Sequence, residues 1–327
     1  MALIGAPPLH GGLQKSCPWQ GRPRGPVPHP LPMFRPLLPG CFPYWPGMVM
    51  EASYFRCERL PVSVSFISTY ICNIICEHCD ISRFREEELS TDEVRAMVRE
   101  LRALGTRSIY FKGGEPLTRP DIGALLTFCR EEGMETTLCS NGLLVEQNLS
   151  KLACLGRLAV SLSWTDGLTE KVSLYEKSLS AIEAAKIAGI NVAASIVLTR
   201  ANISALPAII ADGAALGVQM RFTRLLRHGH SKDNSRIGSM CPDTVELEEA
   251  LRYLDERKKM GAQVSGPLAS KDIQAYDGCL SDEHAFVITP SGDVAPCYRM
   301  LSLKKWSNGR SIGFREAFRN AGSACIF

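Results

Sequence analysis

The sequence predicts an α/β fold built from successive parallel βα units. From Pro61 onward, strand-like runs rich in β-branched residues alternate with amphipathic, helix-like runs, the pattern of strands joined by helical crossovers. The polar and cysteine-rich stretches fall where the strand-like runs end, which is where barrels of βα units carry their chemistry. At 327 residues and 45% hydrophobic, the chain can also bury a large main core with a smaller domain beside it.

Taken in order, the first strand reads at 62–68, with a cysteine loop at its C-terminal end. Ser90, with Glu93 three residues on, forms a capping box. The helix it starts carries Val94, Val98, Leu101 and Leu104 on one face and stops at Gly105. Further strands read at 108–111, 135–139, 158–163, 191–198 and 219–225. Helices fall between them at 120–132, 146–155, 178–188 and 206–215. Asp243 or Thr244 can cap a later helix whose Leu247, Leu251 and Leu254 share a face before Gly261 ends it.

The net charge of +3 is unevenly spread. Residues 1–50 hold Lys15, Arg22, Arg24 and Arg35 and no acid, so the +3 of the whole less the +4 of this leader leaves −1 elsewhere. That balance implies no basic surface for nucleic acid or membrane. The first 47 residues hold 12 of the 20 prolines, which rules out a signal-peptide helix and reads as disordered. Ordinary composition begins near Met48, Met50 and Glu51, so a start codon placed too early is the expectation, with a proline-rich recognition tail as the competing idea. No run of about 18 apolar residues suggests a membrane span. Thirteen cysteines in a chain this long, without an export signal, fit a reducing cytoplasm better than a secreted disulfide scaffold.

The most informative run is Cys72-Asn73-Ile74-Ile75-Cys76-Glu77-His78-Cys79. A four-iron cluster takes one thiolate per iron, so three cysteines leave one iron open to a small ligand, whereas a structural zinc site closes all four positions. A second run, Tyr110-Phe111-Lys112-Gly113-Gly114-Glu115-Pro116, ends a strand in two glycines and a carboxylate. Glycines let backbone approach a ligand without an intervening Cβ, and Glu115 with exposed carbonyls can receive an ammonium group. By themselves these runs also suit zinc-binding or buried cysteines and an ordinary turn.

Together they resemble the radical S-adenosylmethionine (radical SAM) superfamily, whose cluster motif CxxxCxφC has an aromatic at φ, here His78, and whose second motif is GGEP. The resemblance implies a partial (β/α)6 TIM-like barrel over residues 61–232, with a 4Fe–4S cluster on Cys72, Cys76 and Cys79. It implies S-adenosylmethionine bound near His78, Gly113, Gly114, Glu115 and Pro116, and cleaved by one electron to a 5′-deoxyadenosyl radical. Asn141, in the Ser140-Asn141-Gly142 run after the third strand, joins that cofactor set. Ser163 matches the serine that relatives place near the ribose, although its turn, Ser163-Trp164-Thr165-Asp166-Gly167, is one residue longer than theirs.

Cys279 and Cys297 flank two short strands around Pro290-Ser291-Gly292-Asp293. The spacing CX12GX4C resembles the opening of the SPASM or twitch extension, implying a C-terminal auxiliary-cluster module at 262–327 joined by a linking helix at 240–261, with Cys325 a third ligand. The full pattern would continue with CX2C, so a truncated frame and an incomplete auxiliary site are the expectation; a plain β-hairpin with incidental thiols is the alternative. The resemblance further implies a peptide or protein substrate, with a small molecule in cofactor biosynthesis as the second reading, and a flavodoxin or ferredoxin as reductant. A non-catalytic metal-binding protein is the reading from another class. No residue is singled out as catalytic beyond the cofactor sites.

Overall fold

The computed structural model describes residues 61–76, 79, 81, 84, 86–163, 169–225, 234–266, 285–298 and 306–322. Six parallel strands form the body of the fold: β1 (Ser63–Ile67), β2 (Ser108–Lys112), β3 (Glu135–Ser140), β4 (Arg157–Ser161), β5 (Val192–Leu198) and β6 (Gln219–Arg224). They neighbour one another in chain order, the arrangement of a partial βα barrel.

Strand alternation divides the sheet into two unlike faces. Val64, Phe66, Ile109, Phe111, Leu138 and Val160 point outward into one large core under the helices. The other face, which lines the barrel's inside, carries mostly small and polar residues. A filled barrel interior is normally Val, Ile and Leu, so this inner face is unlike a packed barrel core.

Each helix of this core follows from its sequence. In α1 (Thr91–Ala103) the Ser90 hydroxyl accepts from the Glu93 amide, the Glu93 carboxylate answers the Ser90 amide at 2.8 Å, and Gly105 leaves the helix at φ +93°. Val94, Met97, Val98 and Leu101 are its buried face, each contributing about 1.5–3 kcal/mol on removal from water. The helices α2 (Ile122–Glu131), α3 (Thr169–Ile187) and α4 (Leu206–Leu216) follow their strands in the same way. A short α5 (Asn234–Met240), not expected from sequence, precedes α6 (Thr244–Lys259), where Asp243 and Glu246 form a second capping box.

The structure departs from the sequence reading in three places. The helix expected at 146–155 is a 3-10 segment, Glu146–Leu152, in which the Asn148 side chain donates to the Leu144 carbonyl at 2.7 Å and competes with regular helix bonding. α3 begins at Thr169, well before the expected 178. Finally, the hairpin within 262–327 continues the barrel's own sheet: β8 (Ala285–Ile288) runs parallel to β1, and β9 (Asp293–Ala295) returns against β8. A short β7 (Val264–Ser265) adds to the opposite edge at β6, and β10 (Ser307–Asn308) pairs with β9, making a ten-stranded sheet among the described residues.

After β10 come a one-turn α7 (Gly309–Ile312) and then α8 (Phe314–Gly322), which packs on α1 and β9. Phe286 meets Phe318 edge-on at 4.9 Å, and Arg310 reaches both Glu87 and Glu93. Residues 58–327 form one compact unit.

Candidate functional site

The cysteine loop leaves the C-terminal end of β1 and is closed at a neck. At its base the Thr69 hydroxyl and the Tyr70 amide both donate to Glu88 Oε1, at 2.8 and 2.9 Å. Arg119, only 8% exposed, donates from Nη1 to the Ser68 carbonyl at 2.9 Å and from Nη2 to the Leu89 carbonyl at 2.7 Å, joining the two ends of the loop. Its Nε and Nη2 are in turn forked on the Asp121 carboxylate at 2.7 and 3.2 Å, a bidentate pair that fixes the guanidinium plane. Those bonds, with the Thr91 hydroxyl, hold the Asp121 carboxyl below its ordinary range even though burial alone would raise it. Sequence reasoning missed Arg119, because its acceptors lie 30 and 51 residues away.

The hairpin turn secures the same neck. The Leu89 amide donates to the Pro290 carbonyl at 2.7 Å, and Glu86 accepts from the Ser291 hydroxyl at 2.6 Å. Tyr70 is buried against Phe84, and burial, then Glu86, push its hydroxyl far above the ordinary phenol range, so it remains a donor. Ile67, Tyr70, Ile81 and Val287 form a second small core, with Cys79 and Tyr298 packed on its edge.

The Gly-Gly-Glu-Pro run lies directly against this loop. The Gly114 amide donates to the Thr69 carbonyl at 2.9 Å, and the Glu115 amide donates to the Ile71 carbonyl at 2.8 Å. A Cβ on Gly113 would stand 2.5 Å from the Thr69 carbonyl oxygen; on Gly114 it would stand 2.2 Å from that of Ile71 and 3.0 Å from Cβ of Cys72. Both glycines are thus required for the GGEP backbone to approach the cysteine loop, a role the sequence alone assigned to approach of a ligand.

Glu115 is fully buried. Its Oε1 accepts from the Leu117 amide at 3.1 Å and its Oε2 from the Asn141 amide at 2.8 Å, locking the end of β2 to the end of β3. Burial raises its carboxyl above the ordinary range, opposed by those amides and by Ser140. Asn141 Nδ2 then donates to Asn73 Oδ1 at 2.7 Å, carrying the linkage back into the cysteine loop. Pro116 is buried at the first position of a 3-10 turn that Glu115 caps.

Cys72, Cys76 and Cys79 are thiols, each partly exposed, on one loop, and the Cys79 amide turns back on the Cys76 carbonyl at 3.2 Å. Among the described residues they are not drawn together into a preformed metal-binding group. Burial, then the Glu115 charge, raise the Cys72 thiol. The donor set fits a 4Fe–4S cluster: three thiols on a loop clamped at both ends and backed by Gly114, against the end of β2. Ser163 follows β4, partly exposed. Cys297 is half-buried just beyond β9. His78, Asp166, Cys279 and Cys325 lie outside the described residues.

A clamped three-thiol loop at the strand ends of a partial parallel barrel defines a cofactor-dependent barrel enzyme. The sequence profile of the Radical SAM superfamily matches residues 66–211, and the relatives that the chain resembles support a radical SAM enzyme. The chain is 26% identical to the PqqA peptide cyclase of Bradyrhizobium diazoefficiens over 75% of this chain and 68% of that one. It is also 26% identical to the mycofactocin maturase MftC of Mycobacterium tuberculosis, over 80% of this chain and 71% of that one. Among solved structures it superposes on Streptococcus suis SuiB bound to precursor peptide SuiA with a TM-score of 0.67 at 15% identity, covering 82% of this chain and 67% of that one. The family implies a 4Fe–4S cluster and S-adenosylmethionine as the cofactors of this enzyme. No helix among the described residues is long and apolar enough to cross a membrane.

Proposed function

We propose that this enzyme uses a cluster on Cys72, Cys76 and Cys79 to cleave S-adenosylmethionine reductively and abstract hydrogen from a peptide substrate. The carrying observation is the pair of backbone hydrogen bonds that join the GGEP run to the cysteine loop at the open end of the barrel. When bound, the cluster and S-adenosylmethionine supply the one-electron chemistry that yields the 5′-deoxyadenosyl radical.

The chain's own residues position and enclose. Arg119 and Glu88 close the neck of the loop, and Glu115 aligns the ends of β2 and β3. His78, Gly113 to Pro116, Asn141 and Ser163 are the proposed contacts to S-adenosylmethionine. The peptide substrate rests on relatives named for peptide cyclisation and on SuiB bound to a precursor peptide. Cys297, with Cys279 and Cys325, is the proposed ligand set of an auxiliary cluster, and a small flavodoxin or ferredoxin the proposed reductant in a cytoplasmic setting.

The test is anaerobic reconstitution with iron and sulfide, followed by dithionite and S-adenosylmethionine. 5′-Deoxyadenosine and methionine should form, and a cognate peptide should change mass in a cofactor-dependent way. Absence of 5′-deoxyadenosine would remove the radical chemistry. Turnover of a small molecule with every peptide unchanged would remove the peptide. Changing Cys279 and Cys297 to Ala should lower iron per chain, and unchanged iron would dismiss the auxiliary cluster.

A further inference from the structure

The inner face of the barrel carries two cations, Lys112 on β2 and Arg221 on β6. Both stand at inward positions by strand register: Lys112 pairs with Ile67, and Arg221 with Ser195, which itself pairs with Ser161. Lys112 Nζ lies 5.8 Å from the Tyr110 ring centroid and 5.1 Å from that of Tyr298, so its ammonium is held between two aromatic faces. Tyr298, then Cys139, keep that ammonium above the ordinary lysine range, while burial and the charge of Arg221 pull it down. By register, Lys112 and Arg221 stand on the same inner face, on β2 and β6.

Neither forms an ion pair with a carboxylate among the described residues. The nearby acid, Glu115, is fully buried and already engaged by two amides. The Tyr298 hydroxyl is enclosed beside Ser65 without completing a hydrogen bond. Lys112 is half-buried and Arg221 exposed, and two like charges on one inner face repel each other and favour an anion between them. The inward residues of the strands between, Ala159 and Ser161 on β4 with Ala193 and Ser195 on β5, are small.

The geometry points to a carboxylate subsite in the lumen, in which Lys112 and Arg221 bind an acidic group of the substrate while the Tyr298 hydroxyl donates to it. This deepens the radical SAM reading and rests on it. The shared chemistry is a carboxylate, and its source is an Asp or Glu side chain or a peptide C-terminus. A charge-assisted hydrogen bond in such a setting is strong enough to give about tenfold preference for an acid over its amide.

The experiment uses the anaerobic, cluster-loaded chain saturated with S-adenosylmethionine, first shown to produce 5′-deoxyadenosine. Calorimetric titration compares three probes: N-acetylglutamate methylamide, N-acetylalanine, and neutral N-acetylglutamine methylamide. At least one acid should bind about tenfold more tightly than the neutral probe, and which acid does so identifies the carboxylate's source. Arg221→Gln and Lys112→Met should remove the preference, and Arg221→Lys and Lys112→Arg should keep most of it. Equal binding of all three probes to the wild-type chain would overturn the subsite, as would a preference surviving in the Lys112→Met, Arg221→Gln double variant. A tenfold loss of S-adenosylmethionine affinity in Arg221→Gln without any acid preference would also overturn it, since the anion would then be the cofactor's own carboxylate. If the wild-type chain makes no 5′-deoxyadenosine, the functional reading fails first and separately.

Discussion

Replacing Gly114 by alanine should unseat the cysteine loop. The new Cβ would stand 2.2 Å from the Ile71 carbonyl oxygen, 2.6 Å from its carbon and 3.0 Å from Cβ of Cys72, and backbone atoms cannot rotate away as a side-chain tip can. The loop must retreat by about 1 Å, which strains or breaks the bonds from the Gly114 amide to Thr69 and from the Glu115 amide to Ile71. Two backbone hydrogen bonds at about 0.5–1.5 kcal/mol each, plus about 1–3 kcal/mol of overpacking, give a loss of about 2–6 kcal/mol. At roughly 2–4 °C per kcal/mol for a unit of this size, Tm should fall by about 4–24 °C, and iron per chain after reconstitution should drop because Cys72 moves with the loop. Gly105→Ala is the control. It carries a positive φ of +93° but nothing within 4 Å of the new Cβ, so it should cost about 1 kcal/mol and keep its iron. Wild-type iron content together with a Tm change under about 2 °C in Gly114→Ala would refute the close-approach argument.

Three further outcomes follow from the same bonds. Arg119→Lys keeps a charge but loses the fork that reaches Ser68, Leu89 and Asp121 together, so it should destabilise by about 2–4 kcal/mol in urea titration. Because Asp121 titrates below its ordinary 3.8, the stability it contributes is present above that pH and lost as pH falls through its folded value, and Arg119→Lys should flatten this acid limb. Glu115→Ala leaves the buried Leu117 and Asn141 amides without their acceptor, so stability should fall by about 2–5 kcal/mol along with cofactor affinity; affinity lost at unchanged stability would confine Glu115 to ligand contact. Tyr175→Phe removes the 2.8 Å bond to Asp212 between α3 and α4 and should cost about 1 kcal/mol by the same titration, with no change in iron.

Local chemistry made much of this fold legible. The Ser90–Glu93 box and the Val94, Val98, Leu101 stripe specify α1 within a dozen residues, and the structure reproduces both. The sequence singled out Glu115 and Asn141, but not their direct bond, since it joins neighbouring strand ends through a backbone amide. What sequence could not give is non-local. The parallel pairing of β8 with β1, Ser63 opposite Ala285, and the Ser291–Glu86 contact, 205 residues apart, join distant segments, and no periodicity encodes such a partner. Arg119 looks like a turn residue until both carbonyls it clamps are placed beside it. The 3-10 segment at Glu146–Leu152 was misread because the side-chain competition by Asn148 is invisible to an apolar-face pattern.

The account turns on Cys72, Cys76 and Cys79 acting as one cluster-binding set, and the most direct measurement is 5′-deoxyadenosine formed per chain by wild type and Cys76→Ala under dithionite. The wild-type chain should form it from S-adenosylmethionine and the variant should form none above background, with the loss of iron visible in the same samples. Equal 5′-deoxyadenosine from both proteins would contradict the assignment of this loop as the reactive centre.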